Sequence, residues 1–156
     1  WYFMGLQELL LHLHPTVAIC LIPLLLMIAL AGIPFLKNSV LPGGLWFGGK
    51  RGVGLALMVM LASSLLTCVV VIVDEQLLHG ATAFQTGYLF LNRGLFPLGL
   101  LLALQFFLYF GITKLLHYSK AEAIMAVFVA NVSIIISLTV IGVWFRGAGM
   151  VLVSPF

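Results

Sequence analysis

Apolar positions run through this chain in long unbroken blocks, without the alternation of a barrel strand or the one-sided stripe of a surface helix. Charge-free runs cover residues 17–36, 52–73, 94–113 and 123–145. Each is about 20 residues or longer, enough to cross roughly 30 Å of hydrocarbon as helix. A lipid-exposed segment must satisfy its own backbone hydrogen bonds, and continuous apolar runs lack the period of two that a barrel strand needs. The pattern therefore predicts an all-α integral membrane protein. Four transmembrane helices make one membrane domain over residues 1–156, with residues 1–16 as a loop leading into the first span. Pro23, Pro34 and Pro97 fall within or at the edges of spans and predict kinks or helix ends, since neighbouring helices can satisfy the carbonyls that Pro frees.

Composition reaches the membrane independently: 63% of residues are hydrophobic, 7% are charged and the mean hydropathy is +1.26, values outside the range of soluble domains. The first apolar run is full length and follows an acidic, aromatic segment, unlike a cleavable signal peptide. Charge then sets orientation. The connections after the first and third spans carry Lys37, Lys50, Arg51, Lys114 and Lys120, whereas the opposite side carries Arg93 and Arg146. The positive-inside rule puts the Lys50 and Lys114 loops in the cytoplasm. Both termini, with Glu8, Asp74, Glu75 and His79, then face the outer, electropositive side.

Taken residue by residue, the polar positions have bland readings. Aromatics at a membrane boundary form an interfacial belt, and an acidic residue there is solvated. His12, His14, His79 and His117 all fall in loops or at helix ends, which suits interfacial residues, with proton exchange by His12 or His14 as the alternative. Cys20 and Cys68 lie inside spans without Cys-x-x-Cys spacing and read as small apolar fillers, so no metal ligation is expected. Asp74-Glu75 marks the end of a helix, and Arg146, ahead of Gly147-Ala148-Gly149, reads as a snorkelling residue at another. Lys50-Arg51 sets topology and offers a contact for anionic lipid. Glycines 43, 44, 48, 49, 52 and 54 permit a tight turn and close helix approach. Gln105, Asn131, Ser133 and Ser137 predict ties between helices. No charged residue lies near a span midplane, which argues against a self-contained transporter.

The opening segment Trp1-Tyr2-Phe3-Met4-Gly5-Leu6-Gln7-Glu8-Leu9-Leu10 resembles the second half of the Pro-Glu-Trp-Tyr quinol-site motif of cytochrome b. The likeness extends to roughly Gln105: motif loop, a helix ending Ile33-Pro34-Phe35-Leu36, a basic Gly-rich turn, a second helix, a long outer loop and a third helix. It corresponds to the C-terminal, subunit-IV-like part of that family. The chain begins inside the motif, as expected of a processed or split piece, so the family's catalytic carboxylate is not assigned by the likeness. The fourth span goes beyond the shared helices and looks like a bacterial extension.

The resemblance implies a membrane subunit of a quinol:cytochrome c oxidoreductase-type electron-transport complex of a respiratory or photosynthetic chain, in a bacterial inner membrane. Quinol would bind at an outer-side site walled by Trp1, Tyr2, Phe3 and Leu6, with Gln7 near the ring and Glu8 as the catalytic proton collector. Two protons would leave outward, one electron going to an extrinsic high-potential centre and the other to a b-haem. Those b-type haems are expected in a haem-bearing, N-terminal-type cytochrome b partner and none on this chain. The extrinsic partner would be a Rieske iron-sulfur protein or a multihaem cytochrome c, which Asp74-Glu75 would help to steer, with lipid covering other faces. The chain alone would be inactive. A redox-silent membrane anchor of such a complex is the alternative.

Overall fold

A computed structural model describes residues 3–32, 49–75, 94–147 and 152. Helix accounts for nearly all of them: α1 (Met4–His12), α2 (Ile22–Gly32), α3 (Gly49–Val73), α4 (Phe96–Phe110) and α5 (Lys120–Trp144), with π-helical turns at Val17–Leu21 and Gly111–Leu115. Three helical stretches are long and apolar enough to cross a membrane: Gly49–Val73, Phe96–Leu115 and Lys120–Trp144. They match the second, third and fourth runs of the sequence. The first run is seen only as the shorter apolar helix Val17–Ile28 and its continuation to Gly32; residues 33–36 lie outside the described residues, as do Lys37 and Arg93.

Local chemistry explains where these helices start and stop. Ser119 and Glu122 form a reciprocal cap on α5, the Ser119 hydroxyl accepting from the Glu122 N–H at 3.2 Å and the Glu122 carboxylate from the Ser119 N–H at 3.1 Å. Pro97 sits in the first turn of α4, where its missing N–H is no loss. Pro23 cannot donate to the carbonyl of Ile19, and the turn just before it is wound wide as a π-helix. Residue 14 precedes Pro15, a position disfavoured in helix, and the chain turns extended at Leu13. That break separates α1 from the helix that follows.

α3 and α5 pack side by side in the same direction, and α4 returns antiparallel against α5. At one end Leu55 and Val59 pack on Ala123, Ala126, Ala130 and Ile112. At the middle the Ser64 and Ser133 hydroxyls meet at 2.7 Å, Ser133 donates to the Met60 carbonyl at 2.9 Å and Ser137 donates to Ser64 at 3.1 Å. At the far end Val71 joins Leu138 and Ile141. Small residues at alternating three- and four-residue spacing on α5 let the backbones approach, and hydroxyls stitch them, as expected where lipid replaces water as the competitor. Gln105 and Asn131 tie α4 to α5 by reciprocal amide bonds of 2.7 and 3.1 Å. The polar residues expected to join helices do so.

The outer surfaces of these helices carry large apolar side chains such as Leu65, Phe107 and Met27, all more than half exposed, and lipid is their natural solvent. The ends of the bundle differ in charge. Lys50, Arg51, Lys114 and Lys120 gather at one, where the Arg51 guanidinium lies 5.0 Å from the Tyr118 ring centroid. Asp74, Glu75 and Arg146 gather at the other, and α1 packs there. The segment expected as loop over residues 1–16 is thus helical from Met4 to His12. The reason lies in one face: Gly5 rests on Ile135 and Thr139, Leu9 packs with Val71, Leu138 and Ile141, and Gly142 accommodates the Met4 backbone. Docking on α5 supplies what this short helix lacks alone.

Candidate functional site

Helical spacing divides α1 into two faces. Gly5, Glu8 and His12, three and four residues apart, point inward to the bundle, while Phe3, Leu6 and Gln7 point outward and are exposed, Phe3 to 66%. Of the residues that the sequence nominates for a quinol site, Phe3, Leu6 and Gln7 therefore share one surface. Glu8 lies on the other side of the helix. Trp1 and Tyr2 lie outside the described residues.

Glu8 is wholly buried (0% exposed) and sits in a network of charges drawn from three segments. Arg146, in the residues that follow α5, presents its guanidinium to it: Nε donates to Oε1 and Oε2 at 3.1 and 3.0 Å, and Nη2 also donates to Oε1. Nη1 of the same guanidinium donates to Glu75 at 3.0 Å. The Arg146 side chain is itself only 2% exposed, and its backbone pairs with Leu152, which holds it against the bundle. The guanidinium fork suits two carboxylates at once, as a point charge would not. Snorkelling, the expectation for Arg146, is thus replaced by burial in an ion network, because carboxylates at the same depth offer it better partners than headgroup water. Asp74 and Glu75 are likewise not free solvated groups: each is about four-fifths buried, 21% and 20% exposed.

His12 completes the network. Its Nδ1 bonds Asp74 Oδ2 and its Nε2 faces Glu8 Oε1 at 3.3 Å. Both ring nitrogens face carboxylates, and only the imidazolium carries an N–H for each. Burial pulls the His12 pKa down, but the hydrogen bonds and charges of Asp74 and Glu8 outweigh it and push it up to about 9. Burial likewise opposes ionisation of Glu8, yet the bonds from His12 and Arg146 hold its pKa below the ordinary value. Hydrogen bonding to Glu8 raises the Arg146 pKa, against burial and with support from Glu75. The formal charges sum to about −1, three carboxylates against two cations, so the group is close to internally neutral despite its burial.

A pH dependence follows with a definite sign. A group whose pKa is raised on folding adds stability that is whole below its unfolded value, near 6.5 for His, and is lost as pH rises through the folded value. His12 should therefore stabilise the docked α1 fully below about pH 6.5, with the contribution falling away by about pH 9. Ring-proton NMR of the detergent-solubilised chain should show one His titrating near 9 that disappears in His12→Gln; a His12 midpoint near 6.5 would mean that His12 is not held between Asp74 and Glu8.

The sequence nominated Glu8 singly and left His12, Asp74, Glu75 and Arg146 as separate boundary residues. A usable signal was present: all five fall at span ends that the alternation of the helices puts on one side, with opposite signs. No family model matches the chain, and no curated protein or solved structure matches it either.

Proposed function

We propose that this chain is the membrane subunit of a quinol-oxidising electron-transfer complex, and that the outward face of α1 forms one wall of a quinol site closed by a haem-bearing cytochrome b partner. The observation that carries the reading is the pairing of the two faces of α1. Phe3 and Leu6 offer an apolar surface with the Gln7 amide beside it, while Glu8 and His12 pin the same helix to the bundle at its acidic end. An apolar surface with one polar group suits one face and one oxygen of a quinol ring, and the partner subunit would serve the other oxygen. In this reading Trp1 and Tyr2 extend the wall, Glu8 serves from behind by fixing the helix, and the cluster end faces the electropositive side of a bacterial inner membrane. The Lys50 and Lys114 loops then lie in the cytoplasm. Electrons leave to the partner's b-haem and to an extrinsic iron-sulfur protein or cytochrome, and this chain supplies surface and geometry rather than redox groups.

Loss of one aromatic wall contact removes about 1.5 kcal/mol, roughly tenfold in rate at limiting quinol. Tyr2→Ala and Phe3→Ala in the assembled complex should therefore each lower quinol oxidation about tenfold at unchanged haem content. Normal turnover in both would leave the second reading, a redox-silent anchor, which is favoured by one observation of its own: the buried charges are bonded to one another, as suits a purely structural clasp.

A further inference from the structure

We infer that Arg146 is a positioning residue for the quinol-binding face of α1. The inference rests on the quinol-site reading above and assigns a role to a residue that follows α5, outside the part of the chain that resembles cytochrome b. Arg146 is the point at which three segments meet. It bonds both oxygens of Glu8 on α1, reaches Glu75 after α3 through Nη1, and places Nη2 3.5 Å from His12 Nε2. Its own place is set by the end of α5 and by the backbone pairing with Leu152.

Such an arrangement controls rotation as well as distance. Successive residues on a helix are turned by about 100°, so fixing the Glu8 carboxylate at two oxygens fixes the azimuth at which Phe3, Leu6 and Gln7 emerge on the far side. The close seating of Gly5 against Ile135 and Thr139 of α5, and of Gly142 of α5 against Met4, sets how near α1 lies; it leaves rotation to the polar bonds. Glu75 keeps the guanidinium plane from pivoting about Glu8. A Lys at position 146 would preserve the charge and lose the planar fork, so it separates orientation from simple neutralisation.

The test uses the intact complex in its native membrane. Arg146→Lys is expected to leave subunit content and haem spectrum unchanged and to raise the quinol KM about tenfold, with kcat changed much less, because a tilted wall weakens binding of the ring. Glu8→Gln, which keeps shape while weakening the bonds, should give the same KM change and serves where Arg146→Lys fails to assemble. A wild-type KM in assembled complexes of these variants would overturn the inference and leave the clasp a structural one. Normal turnover of Tyr2→Ala and Phe3→Ala would instead remove the quinol site, and the positioning role with it; impaired turnover there beside a wild-type KM in Arg146→Lys would remove only the positioning role.

Discussion

Arg146→Ala should be the most damaging single truncation at the cluster end, costing about 3–5 kcal/mol, because it leaves the fully buried Glu8 carboxylate without its counter-ion. The loss is asymmetric. An ion pair buried on both sides contributes little net stability, since desolvation offsets attraction, whereas half a pair keeps the desolvation and loses the attraction. His12 softens the effect through its own bond to Glu8 at 3.3 Å, but it is shared with Asp74. The measurement is a denaturation midpoint of the purified chain in detergent, with Glu8→Gln/Arg146→Met alongside. The double variant should recover most of the loss, since both charges leave together. A single variant as stable as the parent would mean that water reaches Glu8 and that the network is not buried in solution.

Gly5→Val should undock α1, at roughly 3 kcal/mol, toward the upper end of overpacking costs. A Cβ at position 5 would stand 2.5 Å from the Thr139 hydroxyl oxygen and 3.3 Å from the Ile135 carbonyl. Thr139 has little room to yield, because its hydroxyl donates to that same carbonyl at 2.8 Å, and rotation would forfeit the bond while swinging a methyl into the gap. The two branches of Val then have no volume left to occupy. Faster amide exchange over Met4–His12 is the expected signature, together with a lowered midpoint. The loss should fall short of additive with Arg146→Ala, because once α1 lifts off, Glu8 is hydrated and its counter-ion matters less. Unchanged exchange over α1 would show that the helix is held elsewhere.

Much of the bundle was legible because hydropathy is a local property. A run such as 123–145 declares a span through its own composition, and the structure adds the cap of Ser119 and Glu122 that starts its helix at Lys120. The ties between helices were legible as well: Gln105, Asn131, Ser133 and Ser137 are polar groups within apolar runs, and in hydrocarbon such groups seek one another. The segment before the first span was harder. Residues 4–12 lack the length of a span and the cap of an independent helix, so nothing local distinguishes a docked helix from a loop. Gly5 gave no hint either, since its value lies in the absence of a side chain where Thr139 and Ile135 press close.

The candidate site shows the same boundary. Phe3, Leu6 and Gln7 were nominated together with Glu8, yet the fold turns them to opposite sides of one helix. Arg146 reads from its surroundings as a residue that reaches toward water, and becomes a buried partner only because Glu8, Asp74 and Glu75 arrive at the same depth from other parts of the chain. Taken alone, the sequence determined that the chain is helical, with stretches long and apolar enough to cross a membrane, and where its second to fourth helices run, since the transfer of a residue from water to lipid depends on that residue and its immediate neighbours. The tertiary structure alone decided that residues 8, 12, 74, 75 and 146 form one network and that α1 presents the opposite face outward. Charge pairing depends on distances of a few ångströms between positions far apart in the chain, and only the packing of the helices sets those distances.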